Sequence, residues 1–218
     1  MHTIRSFIAI PLNGEVQRAA RKIARELRSE NDGMKWVPED NLHLTLKFLG
    51  DVVDRDVPQV CKAIRDCCRS IPSFELEFEG TGGFPNDQRP RVVWAGITGG
   101  GEFLIDLVSR LEVELAKLGF KPEPRDYRPH LTLGRVRSGS RSASPEVVAK
   151  VVRFKKRRLG IMTVDQIRLY ASFLDKEGPT YNVMDTIHLG DEVEAVAPDD
   201  DEDEDDDFVD EDLDDEED

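Results

Sequence analysis

The sequence predicts an α+β fold, with two pseudo-symmetric lobes of antiparallel or mixed sheet and outer helices around a central cleft. Three observations lead there. Strand-like segments alternate with amphipathic helical ones, several strands show clean in/out alternation, and a strand motif at residue 43 recurs at residue 130. Such alternation belongs to sheets with one packed and one open face. No G-x-G-x-x-G follows the first strand, so dinucleotide-binding and P-loop folds have no motif here.

The elements follow in order. Residues 4–11 (IRSFIAIP) read as a strand with Ile4, Phe7, Ile8 and Ile10 as its apolar set. Val16, Ala19, Ala20, Ile23, Ala24 and Leu27 then fall on one helical face, opposite Arg18, Arg21, Lys22, Arg25 and Arg28. Residues 42–49 (LHLTLKFL) alternate with period two. A second helix carries Val60, Cys61, Ile64, Cys67, Cys68 and Ile71, and Pro72 ends it. Strands at 74–79 and 91–97 flank the loop GTGGFPNDQRP. A third helix buries Leu104, Leu107, Val108, Leu111 and Leu115. Residues 130–136 (HLTLGRV) alternate again. A weaker helix begins after Ser144-Pro145, where proline suits a first turn. Residues 161–171 and 181–189 read as a final strand pair around Glu177-Gly178-Pro179.

Composition bounds the classes. The 218 residues are enough for one domain with a real core, and 39% are hydrophobic. With 16 Gly and 12 Pro, a collagen-like or fully disordered chain is excluded. No stretch approaches the ~20 consecutive apolar residues of a membrane span. The opening MHTIRSFIAIPLNG reads as a strand and not as a signal peptide. Three crowded cysteines, Cys61, Cys67 and Cys68, do not make a disulfide framework, which points to a reducing, cytoplasmic compartment.

The net charge of −15 divides unevenly. Of 45 Asp and Glu, 20 lie in residues 191–218, a segment with no Lys or Arg. Residues 1–190 hold the other 25 and all 30 Lys and Arg, so the body is about +5 and the tail about −20. The boundary is drawn there: a catalytic domain over 1–190 and an acidic tail over 191–218. A like-charged block of this kind repels itself and is expected to stay disordered. A mildly basic body is compatible with a phosphate-bearing or nucleic-acid ligand.

The repeat carries the functional argument. His43-Leu44-Thr45-Leu46 and His130-Leu131-Thr132-Leu133 lie 87 residues apart, and both follow proline-containing lead-ins, WVPEDN and RDYRP. On a strand, residues i and i+2 share a face. His43 and Thr45 therefore face one way while Leu44 and Leu46 face the core, and the second copy does the same. Of four histidines in the chain, two occupy these matched positions. A pair of ordinary half-exposed strands would explain one copy; two copies placed as in an internal duplication point to a shared groove. Histidine titrates near pH 6.5, so one ring can be neutral and its counterpart protonated. That is a general base and a general acid, the pair that in-line displacement at phosphorus requires. The threonine hydroxyls can donate to non-bridging phosphate oxygens. A zinc pair competes weakly, because two histidines are too few ligands and no Cys or acidic cluster sits at metal spacing.

These residues resemble the 2H phosphoesterases, and within them the bacterial and archaeal RNA 2′,3′-cyclic phosphodiesterases, historically called 2′-5′ RNA ligases. The resemblance covers about residues 4–189. It rests on RSFIAIPL, KWVPEDNLHLTLKFLGDV, FPNDQRPRVVWAGI and YRPHLTLGRV. It implies a two-lobed α+β fold around a cleft. It further implies His43 as proton donor and His130 as proton acceptor on a terminal 2′,3′-cyclic phosphate, with a 2′-phosphomonoester product and no metal or nucleotide cofactor. The implied partners are RNA with a cyclic phosphate end or a small cyclic nucleotide, with no membrane.

Arg135 resembles the arginine that follows the second family motif and would contact the phosphate together with Thr45 and Thr132. Its strand parity is opposite to that of His130, so either Gly134 hosts a bulge that re-aims it or it is a surface arginine. Lys47 has the parity of His43 and Thr45, as a cleft cation or a solvated rim charge. Phe48 falls with the leucines and is expected in the core. Trp36 and Phe84 could stack on a base or anchor a loop. His188 and His2 receive no function. The stripe Lys155-Lys156-Arg157-Arg158 fits a helix C-terminus better than an RNA contact. Two alternatives stay beside cyclic phosphate hydrolysis: reversible 2′-5′ ligation of tRNA halves by the same groups, and a non-catalytic module that binds RNA ends. Intact His and Thr in both copies speak against the second.

Overall fold

The structure is a computed structural model that describes residues 2–174 and 178–190. The acidic tail and the Glu177 position of the last turn lie outside the described residues. Among the described residues, nine strands and four α-helices follow in order: β1 (Thr3–Pro11), α1 (Gly14–Leu27), β2 (Met34–Trp36), β3 (His43–Val53), α2 (Val57–Cys68), β4 (Phe74–Phe84), β5 (Val92–Gly99), α3 (Gly101–Lys117), β6 (His130–Val136), α4 (Pro145–Arg153), β7 (Arg158–Val164), β8 (Gln166–Leu174) and β9 (Pro179–His188). They build two antiparallel sheets, β3-β1-β8-β9 and β2-β6-β5-β4-β7. The α+β fold of two lobes is thus as expected, without a parallel pair among the described strands.

The pseudo-symmetry is visible in the order of elements. In each half a strand, a helix, a histidine strand and a second helix follow one another, β1-α1-β3-α2 and β5-α3-β6-α4, and each histidine strand pairs antiparallel with the first strand of its unit. The lobes are nevertheless interlocked. The short strand β2 comes from the first half but pairs with β6, while β8 and β9 return to the first sheet. The helices cross over as well: α1 and α4 pack over the second sheet, α2 and α3 over the first.

Local chemistry explains the helix boundaries. Asn13 caps α1, its side chain accepting from the Val16 amide at 2.8 Å. Ser144 caps α4 in the same way, with Pro145 in the first turn. The faces are those the periodicity marks: Val16, Ala20, Ile23, Ala24 and Leu27 on α1, and the leucine row of α3, are buried. Leu44, Leu46, Leu131 and Leu133 lie in the same core, so the helices cover the leucine faces of the histidine strands and leave the His/Thr faces to the cleft. Cys61, Cys67 and Cys68 are buried free thiols, with burial pushing the first two up to about 11 and Cys68 to about 12.

Two expectations need correction, and one element has no counterpart in the sequence reading. The segment 161–171 is not one strand: Asp165 separates β7 from β8, which belong to different sheets. The glycine-rich stretch after residue 79 is not all loop, because β4 continues to Phe84. Its glycines serve a close approach, since a Cβ at Gly82 would stand 2.4 Å from the Trp94 ring. The strand β2 has only three residues, too short to give a periodic signal.

Candidate active site

Each histidine opens its strand, and the same local device holds both rings. His43 Nδ1 lies 2.8 Å from the carbonyl of Asn41, and His130 Nδ1 lies 2.7 Å from the carbonyl of Arg128. A carbonyl can only accept, so Nδ1 carries the proton and each neutral ring keeps its Nε2 lone pair free. The proline-containing lead-ins supply these carbonyls two residues upstream. An aromatic ring flanks each imidazole at the same separation, Phe7 at 4.9 Å from His43 and Phe84 at 4.9 Å from His130. Tyr181 adds an edge-on contact to His43 at 5.3 Å.

Each strand then carries a bulge at the fourth residue of its motif. Ala9 pairs with Thr45 and Ile8 with Lys47, so Leu46 is the extra residue of β3. Trp94 pairs with Thr132 and Val93 with Gly134, so Leu133 is the extra residue of β6. A bulge reverses the parity of everything after it. Arg135 thereby comes to the His130/Thr132 face, which is the re-aiming that its motif position requires; a Cβ at Gly134 would sit 2.7 Å from the Trp36 ring, so only glycine fits there.

The same reversal corrects two readings of the first copy. Lys47 is not a cleft or rim cation: it is 2% exposed, donating from Nζ to Glu112 Oε2 at 2.7 Å and to the Lys121 carbonyl at 3.1 Å. Phe48 is not in the core: it is 54% exposed, paired with Phe7 across the strands on the histidine face. Phe48 and Arg135 therefore occupy equivalent places, five residues after their histidines. Trp36 is no stacking platform either; it shares the buried side of Met34, and its indole N–H donates to Asp32 at 2.6 Å. Phe84 stays beside His130. Half of the basic stripe is tied up structurally, with Lys155 paired to Asp87 and Arg157 held bidentately by Glu26.

The two half-sites meet. Strands β3 and β6 approach each other, and Tyr127, three residues before His130, donates to the Thr45 carbonyl at 3.0 Å. Burial holds both histidines below the ordinary imidazole range, and the positive charge of Arg135 pushes each further in that direction. Burial raises the Tyr181 phenol while the same Arg135 charge opposes it. One guanidinium thus acts on both imidazoles and on Tyr181, so His43, His130 and Arg135 share one electrostatic neighbourhood. A cavity of about 290 Å³ adjoins it, walled by His43, Tyr170, Tyr181, Arg168 and Gln17. A larger cavity, about 1020 Å³, lies elsewhere, between the far half of β3 and the segment after α3, with Phe48 at its edge. Among the described residues no group of three metal-ligating side chains is found.

The arrangement turns two imidazoles, one guanidinium and two threonine hydroxyls toward one cleft. A family model described as LigT like phosphoesterase matches residues 10–94 and 99–181. The chain belongs to this family. Curated relatives of this phosphoesterase include a Methanothermobacter thermautotrophicus protein, 36% identical over 85% of the chain and 99% of its own length, and an Archaeoglobus fulgidus protein, 35% identical over 82% and 96%. Both are named RNA 2′,3′-cyclic phosphodiesterase. Among solved structures, a Thermus thermophilus protein superposes with a TM-score of 0.71 at 27% identity, covering 87% of this chain and all of that one. Escherichia coli LigT complexed with 3′-AMP superposes with a TM-score of 0.70 at 25% identity, covering 86% and 99%.

Proposed function

We propose that the chain hydrolyses the terminal 2′,3′-cyclic phosphate of RNA to a 2′-phosphomonoester. The observation that carries this is the pair of Nδ1-anchored imidazoles under one shared arginine charge. The names of the family relatives support the substrate class.

In the proposed reaction His130 Nε2 removes a proton from water as its oxygen attacks phosphorus. The bond from phosphorus to the 3′ oxygen breaks, and protonated His43 delivers its proton to that leaving oxygen. Charge gathers on the two non-bridging oxygens, where Arg135 and the hydroxyls of Thr45 and Thr132 donate hydrogen bonds. Both rings start with depressed pKa values, which favours the neutral base. The acid needs a proton in the same environment, and the bound phosphodiester anion supplies the counter-charge that retains it. Every group invoked is a side chain of this chain, and the reaction runs without a metal. The three buried thiols fit a reducing, cytoplasmic setting. Residues 1–190 form the catalytic unit, and 191–218 an acidic appendage to it.

The test is incubation with a short RNA ending in 2′,3′-cyclic phosphate, in EDTA, with identification of the product end. A 2′-phosphate end is expected. Activity lost in EDTA and restored by Mg²⁺ or Zn²⁺ would refute the metal-free mechanism, and a 2′-5′-joined product without hydrolysis would replace hydrolysis by ligation.

A further inference from the structure

We propose that Arg168 and the cavity beside His43 bind the phosphate on the 5′ oxygen of the terminal nucleotide, so that the preferred substrate is an RNA chain end and not a cyclic mononucleoside. The inference rests on the cyclic-phosphate reading above and names a second anion that the substrate must carry.

The argument begins with strand parity. On β8, Ile167 and Leu169 are buried in the core, so Arg168 and Tyr170 face the cleft. Ala9 pairs with Thr45 on one side and with Arg168 on the other. One row across the sheet therefore runs Thr45, Ala9, Arg168, with only a methyl group between the site threonine and the arginine. Two strand spacings separate their backbones by roughly 10 Å. Arg168 lines the cavity that also contains His43, Tyr170 and Tyr181.

The charge state of this arginine then decides the ligand. Arg168 is half-buried, and its guanidinium donates only long bonds, 3.3 and 3.4 Å, to the neutral side-chain oxygen of Gln166. Among the described residues no carboxylate pairs with it. Arg157 shows the contrast: it is held bidentately by Glu26. The carboxylate in the cavity wall, Asp40, is taken by Arg21 at 2.8 Å. A partly desolvated guanidinium without a counter-charge is costly unless a ligand brings one, and its planar fork matches a phosphate.

The reacting phosphate has its own cation, because Arg135 on the other lobe is the charge that acts on both histidines. Two arginines on opposite sides of the cleft thus call for two anions. The cavity wall at Gln17 belongs to α1, whose outer face continues as Arg18 and Lys22, while Arg21 and Arg25 between and beyond them are held by Asp40 and Glu39. A polyanionic strand leaving the cavity would run onto this row.

The experiment compares three substrates: adenosine 2′,3′-cyclic phosphate, the same compound with a 5′-phosphate, and a diadenylate ending in 2′,3′-cyclic phosphate. Wild-type kcat/KM should be at least tenfold higher for the two phosphate-bearing substrates. Arg168→Gln should reduce that ratio about tenfold and flatten the dependence of log kcat/KM on log salt by about 0.7, the share of one contacted phosphate. Arg168→Lys, a milder change, should retain an intermediate ratio. A ratio unchanged in both variants, whether activities fall together or not at all, would overturn the subsite while leaving the hydrolysis reading intact. Failure of the wild type to turn over any of the three would overturn both.

Discussion

Tyr127→Phe isolates the contact that joins the two half-sites. The phenol donates to the Thr45 carbonyl at 3.0 Å, and β3 is an edge strand, so no neighbouring strand would replace that donor. Two residues on, buried Lys47 grips Glu112 and the Lys121 carbonyl. The segment that delivers His130 and its Arg128 acceptor is thus fastened to the His43 strand at two points. The substitution keeps the ring and its packing and removes one hydroxyl. A partly buried carbonyl left without its donor costs about 1–2 kcal/mol, near the lower end for such groups. For a body of this size that is a drop of roughly 2–8 °C in Tm. The Lys47 clamp persists, so the lobes stay together but the His130 segment relaxes. Misplacement of a catalytic group by about 1 Å costs about 100-fold, so a shift of a few tenths should cost kcat about tenfold with little change in KM. Steady-state kinetics on a cyclic-phosphate RNA, run beside thermal unfolding, gives both numbers. A normal kcat together with the expected loss of Tm would show that Tyr127 serves the fold alone and that the half-sites are not aligned through it.

Further predictions test the remaining roles. His43→Ala and His130→Ala should each lower kcat by about 10²–10⁴ with unchanged circular dichroism, and near-wild-type turnover in either would end the acid–base assignment. Arg135→Gln should lower the rate and also move the pH profile of kcat/KM upward. Burial, and after it the Arg135 charge, depress both imidazole pKa values, so the wild-type optimum should lie on the acid side of pH 6.5, where the acid is still protonated, and removing the charge shifts both limbs part of the way to higher pH; a slower enzyme with an unmoved profile would contradict the electrostatic coupling. Deleting residues 191–218 removes 20 acids from a chain whose body is about +5, and should lower the apparent KM for RNA at low salt, have little effect at high salt and leave Tm unchanged. Equal KM at low salt would leave the tail without a role at the cleft.

Much of the site was legible because period two is a reliable guide while a strand is regular. His43, Thr45, His130 and Thr132 precede the bulges, and all four face as the alternation requires. The errors begin one residue after the first bulge. For Arg135 the conflict between parity and motif announced an irregularity; for Lys47 and Phe48 nothing in the single copy did, and the alternation put both on the wrong side. Alignment of HLTLKF with HLTLGR was the available signal, since a bulge needed by one copy of a duplication is expected in the other. Tyr170, Tyr181 and Arg168 could not be reached this way, because they enter the site through strand order, β1 beside β8 beside β9, which local pattern does not encode. The bulges also bear on how a symmetric scaffold performs a directional reaction. The two half-sites match in histidine, threonine, ring anchor and flanking aromatic, so none of these distinguishes donor from acceptor. The fifth residue does: a guanidinium after one histidine and an exposed phenyl ring after the other. In the proposed reaction the cation holds the phosphate from the His130 side alone, so the 3′ oxygen and the attacking water meet chemically different half-sites.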